Sequence, residues 1–388
     1  MNTEGLKQNP ANAPASFPKK KVLLVSLDRG KRDYPLEELM DELEMLLGNL
    51  DLFVVRKIVQ KREKEDPATF LGKGKAEELG KTAIEYGASV IVFDGVLSPV
   101  QVKNLKEKTG CSVWDRPWVI MEVFRRHARS SEAKLQVELA RCRYEIPHLK
   151  GLGQQMSRTG AGIATRGPGE TEFERHRRKI ERRIRDIEKK LREITERRYN
   201  QRKRRSRSGL PVVSLVGYTN AGKSTLFKAL SGDSLVRVKD QLFTTLDTTV
   251  RTFSLPFSGT ALLVDTVGFL RNLPPGLIAA FRSTLEEVLE ADALVWVVDA
   301  TKTERETVIS SVEETLRELG AWEIPRIVAL NKIDLLEKEE VSRTIREIEL
   351  TGERVVPISA KDRIGFEDLK NELEKVLLEK RMTMEGKR

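Results

Sequence analysis

Two cysteines and three histidines among 388 residues are too few for a disulfide framework or for a metal cluster built from those ligands. Cys111 and Cys142 fit a reducing compartment, and a cytoplasmic location is expected. No run approaches the roughly 18 apolar residues of a membrane span. The first twenty residues lack the apolar segment of a signal peptide and, being rich in Asn, Pro, Ala and Lys, read as a disordered tail. What the chain has in excess is charge: 33% of its residues are charged, with a net +10. A surplus of that sign favours an anionic partner, nucleic acid ahead of an anionic membrane.

The length allows two or three domains, each with its own core. Residues 21–115 alternate apolar strands (KVLLVSL, DLFVVRKIVQ, ASVIVFD, CSVWD) with amphipathic stretches such as EELMDELEMLLGNL, the pattern of a parallel α/β subdomain. Within it FLGKGKAEEL sets Gly72, Lys73, Gly74 and Lys75 before a helix, either an anion-binding helix start or a plain turn into the helix, the latter favoured by so short a glycine signal.

Residues 116–201 read as an antiparallel helical hairpin. Leu135, Leu139, Cys142, Ile146 and Leu149 form the seam of one arm, and Phe173, Ile180, Ile184, Ile187, Leu191 and Ile194 that of the other. Pro147 and a Gly- and Arg-rich loop, residues 150–171, separate the arms, and a basic linker, 202–210, follows. Glycines allow close backbone approach and arginines pair with phosphate or stack on bases. Arg158, Gly160, Gly162 and Arg166 in the loop, and Arg202, Lys203, Arg204, Arg205 and Arg207 after it, are therefore candidates for contacting RNA.

Residues 211–380 carry the most specific signal, leaving 381–388 as a tail. The strand VVSLVG runs into GYTNAGKST, a phosphate loop that feeds a helix. Gly217, Tyr218, Thr219, Asn220, Ala221, Gly222, Lys223, Ser224 and Thr225 are its nucleotide-contacting candidates, Lys223 spanning β and γ oxygens and Ser224 ligating Mg²⁺. The strand ALLVD delivers Asp265, a carboxylate expected to reach Mg²⁺ through water, followed by Thr266, Val267 and Gly268, the last a γ-phosphate sensor.

RIVALNKID presents Asn331, Lys332 and Asp334. A carboxylate at Asp334 accepts from both N1–H and the exocyclic amine of guanine, a donor pair that adenine lacks, so GTP rather than ATP is expected. VVPISAK adds Ser359, Ala360 and Lys361 beside the base. Between phosphate loop and Asp265, QLFTTLDTT contributes Phe243, Thr244 and the switch candidate Thr245, with Thr244, Thr248 and Thr249 as competitors for closing over Mg²⁺. Lys223, Thr245 and Gly268 are the catalytic candidates. Phe269 stands where many GTPases place a water-orienting glutamine, so intrinsic hydrolysis should be slow or depend on a partner or another switch residue.

The ordered set FLGKGKAEEL, LSPVQVKNL, SEAKLQVELARCRYEIPHL, TGAGIATRGPGETEFERHRRKI, GYTNAGKSTLF, LFTTLDTTVR and DTVGFLRNLP resembles the HflX-type GTPases, a ribosome-associated family of translation-factor-related GTPases. The resemblance implies an N-terminal α/β subdomain with its hairpin, followed by a P-loop GTPase domain using Mg²⁺. It further implies binding to the large ribosomal subunit and its RNA with GTP bound, and the protein is expected to be a monomer. Such a factor splits or rescues stalled or idle ribosomes, and hydrolysis drives its release. Two other functions fit the residues: an ATP-dependent RNA remodeller working through the N-terminal domain, or a GTPase switch acting on a protein partner.

Overall fold

The computed structural model describes residues 20–30, 35–156, 168–206, 209–232, 249–266, 268, 288–302, 313, 316–317 and 320–385; at 150–156, 168–173, 198–206 and 383–385 it describes the backbone alone. The first unit is a four-stranded parallel sheet in the order β2-β1-β3-β4. Its elements are β1 (Lys20–Asp28), α1 (Leu36–Gly48), β2 (Leu52–Lys61), α2 (Lys73–Tyr86), β3 (Val90–Phe93), α3 (Pro99–Thr109), β4 (Ser112–Asp115) and α4 (Arg116–His127). Strand β1 is central and covered on both faces, which is why it reads as a continuous apolar run. Val22 and Leu24 pack on one side with α1 and α4, while Leu23, Val25 and Leu27 pack on the other with α2 and α3. A capping box starts α3: the Ser98 hydroxyl accepts from Gln101 N at 3.2 Å and the Gln101 side chain accepts from Ser98 N at 2.8 Å.

The domain boundary expected after residue 115 is corrected here. Helix α4 buries Val119, Ile120, Met121, Val123 and Phe124 in the sheet's core, so it completes the α/β subdomain and the hairpin starts at α5 (Ser131–Met156). Pro147 does not separate the arms either, because α5 continues through it. Proline removes one backbone donor and crowds the preceding turn, yet flanking turns can hold a helix in register. The expected loop of 150–171 shrinks accordingly, since α6 (Pro168–Ser206) already begins at Pro168. The stretch expected as a linker from 202 is helical through Ser206.

Two faces of α5 are buried. Ala133, Val137 and Ala140 join the core of the sheet, while Leu139 and Cys142 lie on the seam toward α6. Ile180 and Ile187 answer from α6, Ile187 with no exposed surface, and Arg183 clamps Glu138 bidentately at 2.6 and 2.7 Å. The two arms are joined by residues 157–167 and run antiparallel.

The second unit is a six-stranded sheet in the order β10-β9-β8-β5-β7-β6, parallel except for β6 against β7. It comprises β5 (Val212–Val216), α7 (Lys223–Ser231), β6 (Thr249–Leu255), β7 (Gly259–Asp265), β8 (Ala293–Asp299), β9 (Arg326–Asn331), α8 (Lys338–Glu349), β10 (Val355–Pro357) and α9 (Phe366–Glu385). Strand β8 lies between β5 and β9, at the centre. The carboxyl ends of β5, β7, β8 and β9 therefore meet along one edge, where ligands bind in open α/β sheets.

Ile187→Ala should cost about 2–5 kcal/mol, because it empties a fully buried site between the arms. A thermal melt checks this, and an unchanged midpoint would show that the arms do not pack as a core.

Candidate functional site

The turn after β5 wraps an ammonium. Lys223, at the start of α7, is 6% exposed, and its Nζ donates to the carbonyls of Gly217 at 2.9 Å and Tyr218 at 2.6 Å. An ammonium has three donors, so one remains for a phosphate oxygen. Glycine is required at both ends of the turn. Gly217 has φ 139° and a Cβ there would meet the Val297 carbonyl oxygen at 2.3 Å, while Gly222 has φ 99° and its Cβ would strike Asn331 Nδ2 at 2.1 Å. Burial holds the Lys223 ammonium down to about 8, against the opposing pull of the Asp265 carboxylate.

Asp265 ends β7, and Ser224 Oγ donates to its Oδ2 at 3.1 Å. A hydroxyl and a carboxylate in contact form the hard-oxygen donor pair that suits Mg²⁺. Thr266 turns its hydroxyl inward, donating to Leu215 O at 2.6 Å, so it braces β5 against β7. Gly268 lies close against the phosphate loop: a Cβ there would sit 2.9 Å from Lys223 Nζ and from Thr219 Cγ2.

The turn after β5 is tied to the loop after β10 through Asn331. Its Nδ2 donates to Ala221 O at 2.8 Å and its Oδ1 accepts from Ala360 N at 2.9 Å. Ser359 is buried and caps its own turn, its hydroxyl accepting from Asp362 N at 3.1 Å. Asp334, in the short 3₁₀ turn Ile333–Leu335, and Lys361 are exposed and free to face a base. A residue absent from the sequence reading also appears here: Asp299, at the end of β8, accepts from Lys332 Nζ at 2.7 Å. Its signal was the strand ALVWVVD, a continuous apolar run ending in a carboxylate just as ALLVD does.

Other candidates fall elsewhere. Thr249, one of the competing switch threonines, is the first residue of β6 and the register partner of Asp265. Phe243, Thr244, Thr245, Thr248, Val267 and Phe269 lie outside the described residues, as do Arg158, Gly160, Gly162, Arg166 and Arg207. Of Arg202, Lys203, Arg204 and Arg205 the backbone is described, within α6. In the N-terminal unit Gly72 precedes α2 with its N–H donated to Gln60 Oε1 at 3.0 Å, and Lys75 pairs with Glu78 at 2.8 Å. That amide and that cation are already engaged within the subdomain, the condition of a plain turn into a helix.

Known protein families match both units of the chain. Residues 37–125 match the family described as GTP-binding GTPase N-terminal, 127–205 the GTP-binding GTPase middle region, and 212–332 the 50S ribosome-binding GTPase. GTPase HflX of Caldanaerobacter subterraneus subsp. tengcongensis is 43% identical over 359 residues, covering 92% of this chain and 81% of that protein. The chain belongs to the HflX GTPase family. GTPase HflX of Escherichia coli K12 is 40% identical over 309 residues, covering 80% of this chain and 72% of the relative. The crystal structure of SsGBP in complex with GDP shares the fold with a TM-score of 0.52 at 26% identity, over 93% of this chain and 99% of its own. As a member of the HflX family this protein is a GTPase. Among the described residues no helix is long and apolar enough to cross a membrane.

Burial favours the neutral amine of Lys223 and a phosphate favours the ammonium, so nucleotide binding should draw in a proton. GDP affinity should then fall as the pH rises through about 8, with uptake near half a proton per GDP at that pH. Titration calorimetry in two buffers of different ionisation heat reads this directly, and zero uptake at pH 8 would mean that the lysine is charged before the nucleotide arrives. Lys223→Ala should abolish tight GTP binding altogether.

Proposed function

We propose that this GTPase binds the large ribosomal subunit through the RNA of that particle and promotes the splitting or rescue of stalled or idle ribosomes, with GTP hydrolysis driving its release. The observation that carries the RNA reading is where the charge lies. Helix α6 holds sixteen Lys and Arg against eight Asp and Glu, a surplus of eight out of the chain's +10. Arg175, Arg178, Lys179, Arg182, Arg185, Lys189 and Lys190 stand exposed on it. A footprint concentrated on one helix suits a phosphate backbone, whereas charge kept for solubility is spread. The family match to a 50S ribosome-binding GTPase supports the same partner.

In the nucleotide site, Lys223 would bind the β and γ phosphates, and Gly268 would report the γ-phosphate through its backbone, with Thr245 closing from the switch segment. Ser224 and Thr245 would hold Mg²⁺ directly and Asp265 through water. That ion, when bound, neutralises charge developing on the phosphates. Asp334 would select guanine, flanked by Asn331, Lys332, Ser359, Ala360 and Lys361. Arg158, Gly160, Gly162 and Arg166 would thread a crowded RNA site, and Arg202, Lys203, Arg204 and Arg205 would add phosphate contacts. The protein would act as a monomer in the cytoplasm.

GTP turnover should rise strongly when large ribosomal subunits are added, and deletion of residues 159–166 should remove that rise while sparing basal turnover. Equal loss of both activities would make the loop a folding element, and turnover indifferent to subunits would overturn the ribosomal partner. Asp334→Asn should cost guanine binding about 1.5–3 kcal/mol, the worth of hydrogen bonds to a charged acceptor. Guanine preference retained in that variant would place the base elsewhere.

A further inference from the structure

We infer that Asp299 is a positioning residue of the guanine half of the site, acting on the nucleotide through Lys332. The inference rests on the assignment of Lys332 and Asp334 to the base. Asp299 is the register partner of Asn331 across β8 and β9, and the Ala300 amide donates to the Asn331 carbonyl at 2.8 Å. One carboxylate oxygen of Asp299 accepts from Thr301 N at 3.0 Å and Thr301 Oγ1 at 2.7 Å, and the other accepts from Lys332 Nζ at 2.7 Å. The carboxylate is thus fixed by its own turn before it meets the lysine. Its side chain is 12% exposed and that of Lys332 26%, so the pair is shielded more than an ordinary surface bridge.

Lys332 needs such a tether. Its backbone sits at φ 68°, a left-handed conformation that side-chain-bearing residues rarely adopt. That turn sets Asn331 inward against the phosphate loop while Asp334, two residues on, is exposed. The stem of Lys332 between them is four methylenes long and would follow its ammonium into water if nothing held it. Anchored at Asp299, it becomes a fixed apolar wall beside the base. Asp299 then governs how long a nucleotide stays, leaving base identity to Asp334 and phosphate chemistry to Lys223.

The test is a double-mutant cycle on release of a fluorescent GDP from the full chain, followed by stopped flow. Asp299→Asn should speed release about tenfold with little change in association. Turnover at saturating GTP and the preference for guanine over adenine should stay as in the parent. Lys332→Met should give a similar rise, and adding Asp299→Asn to it should change release by less than about twofold, because both remove one interaction. Thr301→Ala, at an exposed position that spares the fold, should give an intermediate rise and carries the test if Asp299→Asn lowers the melting temperature. Losses that simply add, or release at the parent rate in both Asp299→Asn and Thr301→Ala, would overturn the inference while leaving the base assignment intact. Unaltered binding in Lys332→Met would overturn the base assignment itself.

Discussion

The side chain of Asn331 donates to the turn after β5 at Ala221 and accepts from the loop after β10 at Ala360, and the arrangement of the candidate site follows from that pair of bonds. A carboxamide offers a donor and an acceptor from one planar group; aspartate would lose the first and leucine both. At 2% exposure a missing bond would not be replaced by water, and each unmet group costs about 1–3 kcal/mol. The neighbours conform to it. Gly222 lacks a Cβ because one would strike the amide nitrogen. The next residue, Lys332, takes a strained backbone so that the chain can leave a buried amide and present an exposed carboxylate at Asp334. Ser359 and Ile364 close the loop after β10 through paired backbone hydrogen bonds at 3.2 and 3.1 Å.

The N-terminal unit uses the same device on a larger scale. Arg116, 3% exposed, reaches Asp94 at 3.0 Å and Glu42, while the adjacent Asp115 accepts from Leu97 N at 3.1 Å and Trp118 N at 3.0 Å. Burial pushes the Asp115 carboxyl up, and the Tyr144 hydroxyl of α5 is among the groups that pull against that rise. Tyr144 in turn stacks on His148 with ring centroids 4.3 Å apart, and His148 Nδ1 donates to the Tyr144 carbonyl at 2.8 Å. With apolar contacts on two faces and this polar post on a third residue, α5 cannot rotate on the sheet. The hairpin's direction is thereby set by the α/β core rather than by its own seam.

These two networks also explain what could be read in the chain and what could not. Local chemistry is legible: Gly217 and Lys223 are dictated by the tight turn they build and Asp265 by the strand it ends, and strands β1, β5 and β9 announce themselves as apolar runs. Tertiary burial is not. Helix α4 has the look of a hairpin segment until its Val119–Phe124 face meets the sheet, and α5 has a blurred periodicity because two partners share it. Asp299 was invisible because its task is to hold a lysine 33 residues away. Strand β8 had a clear apolar signature but no motif to draw attention to it.

The basic stretch before the GTPase strands is the instructive misreading. A run of Arg and Lys resembles a solvated linker, yet both residues are good helix formers, and a helix's carboxyl end carries partial negative charge that attracts cations. After Glu196 the remaining charged residues of α6 are all basic, so the repulsion among them is offset where it would otherwise unwind the last turns. The upstream half solves the same problem differently, with Arg177–Glu181 and Arg178–Glu174 pairs one turn apart. The basic residues without acidic neighbours in the sequence are thus collected at the end of α6 nearest in sequence to β5, with residues 207–211 between them.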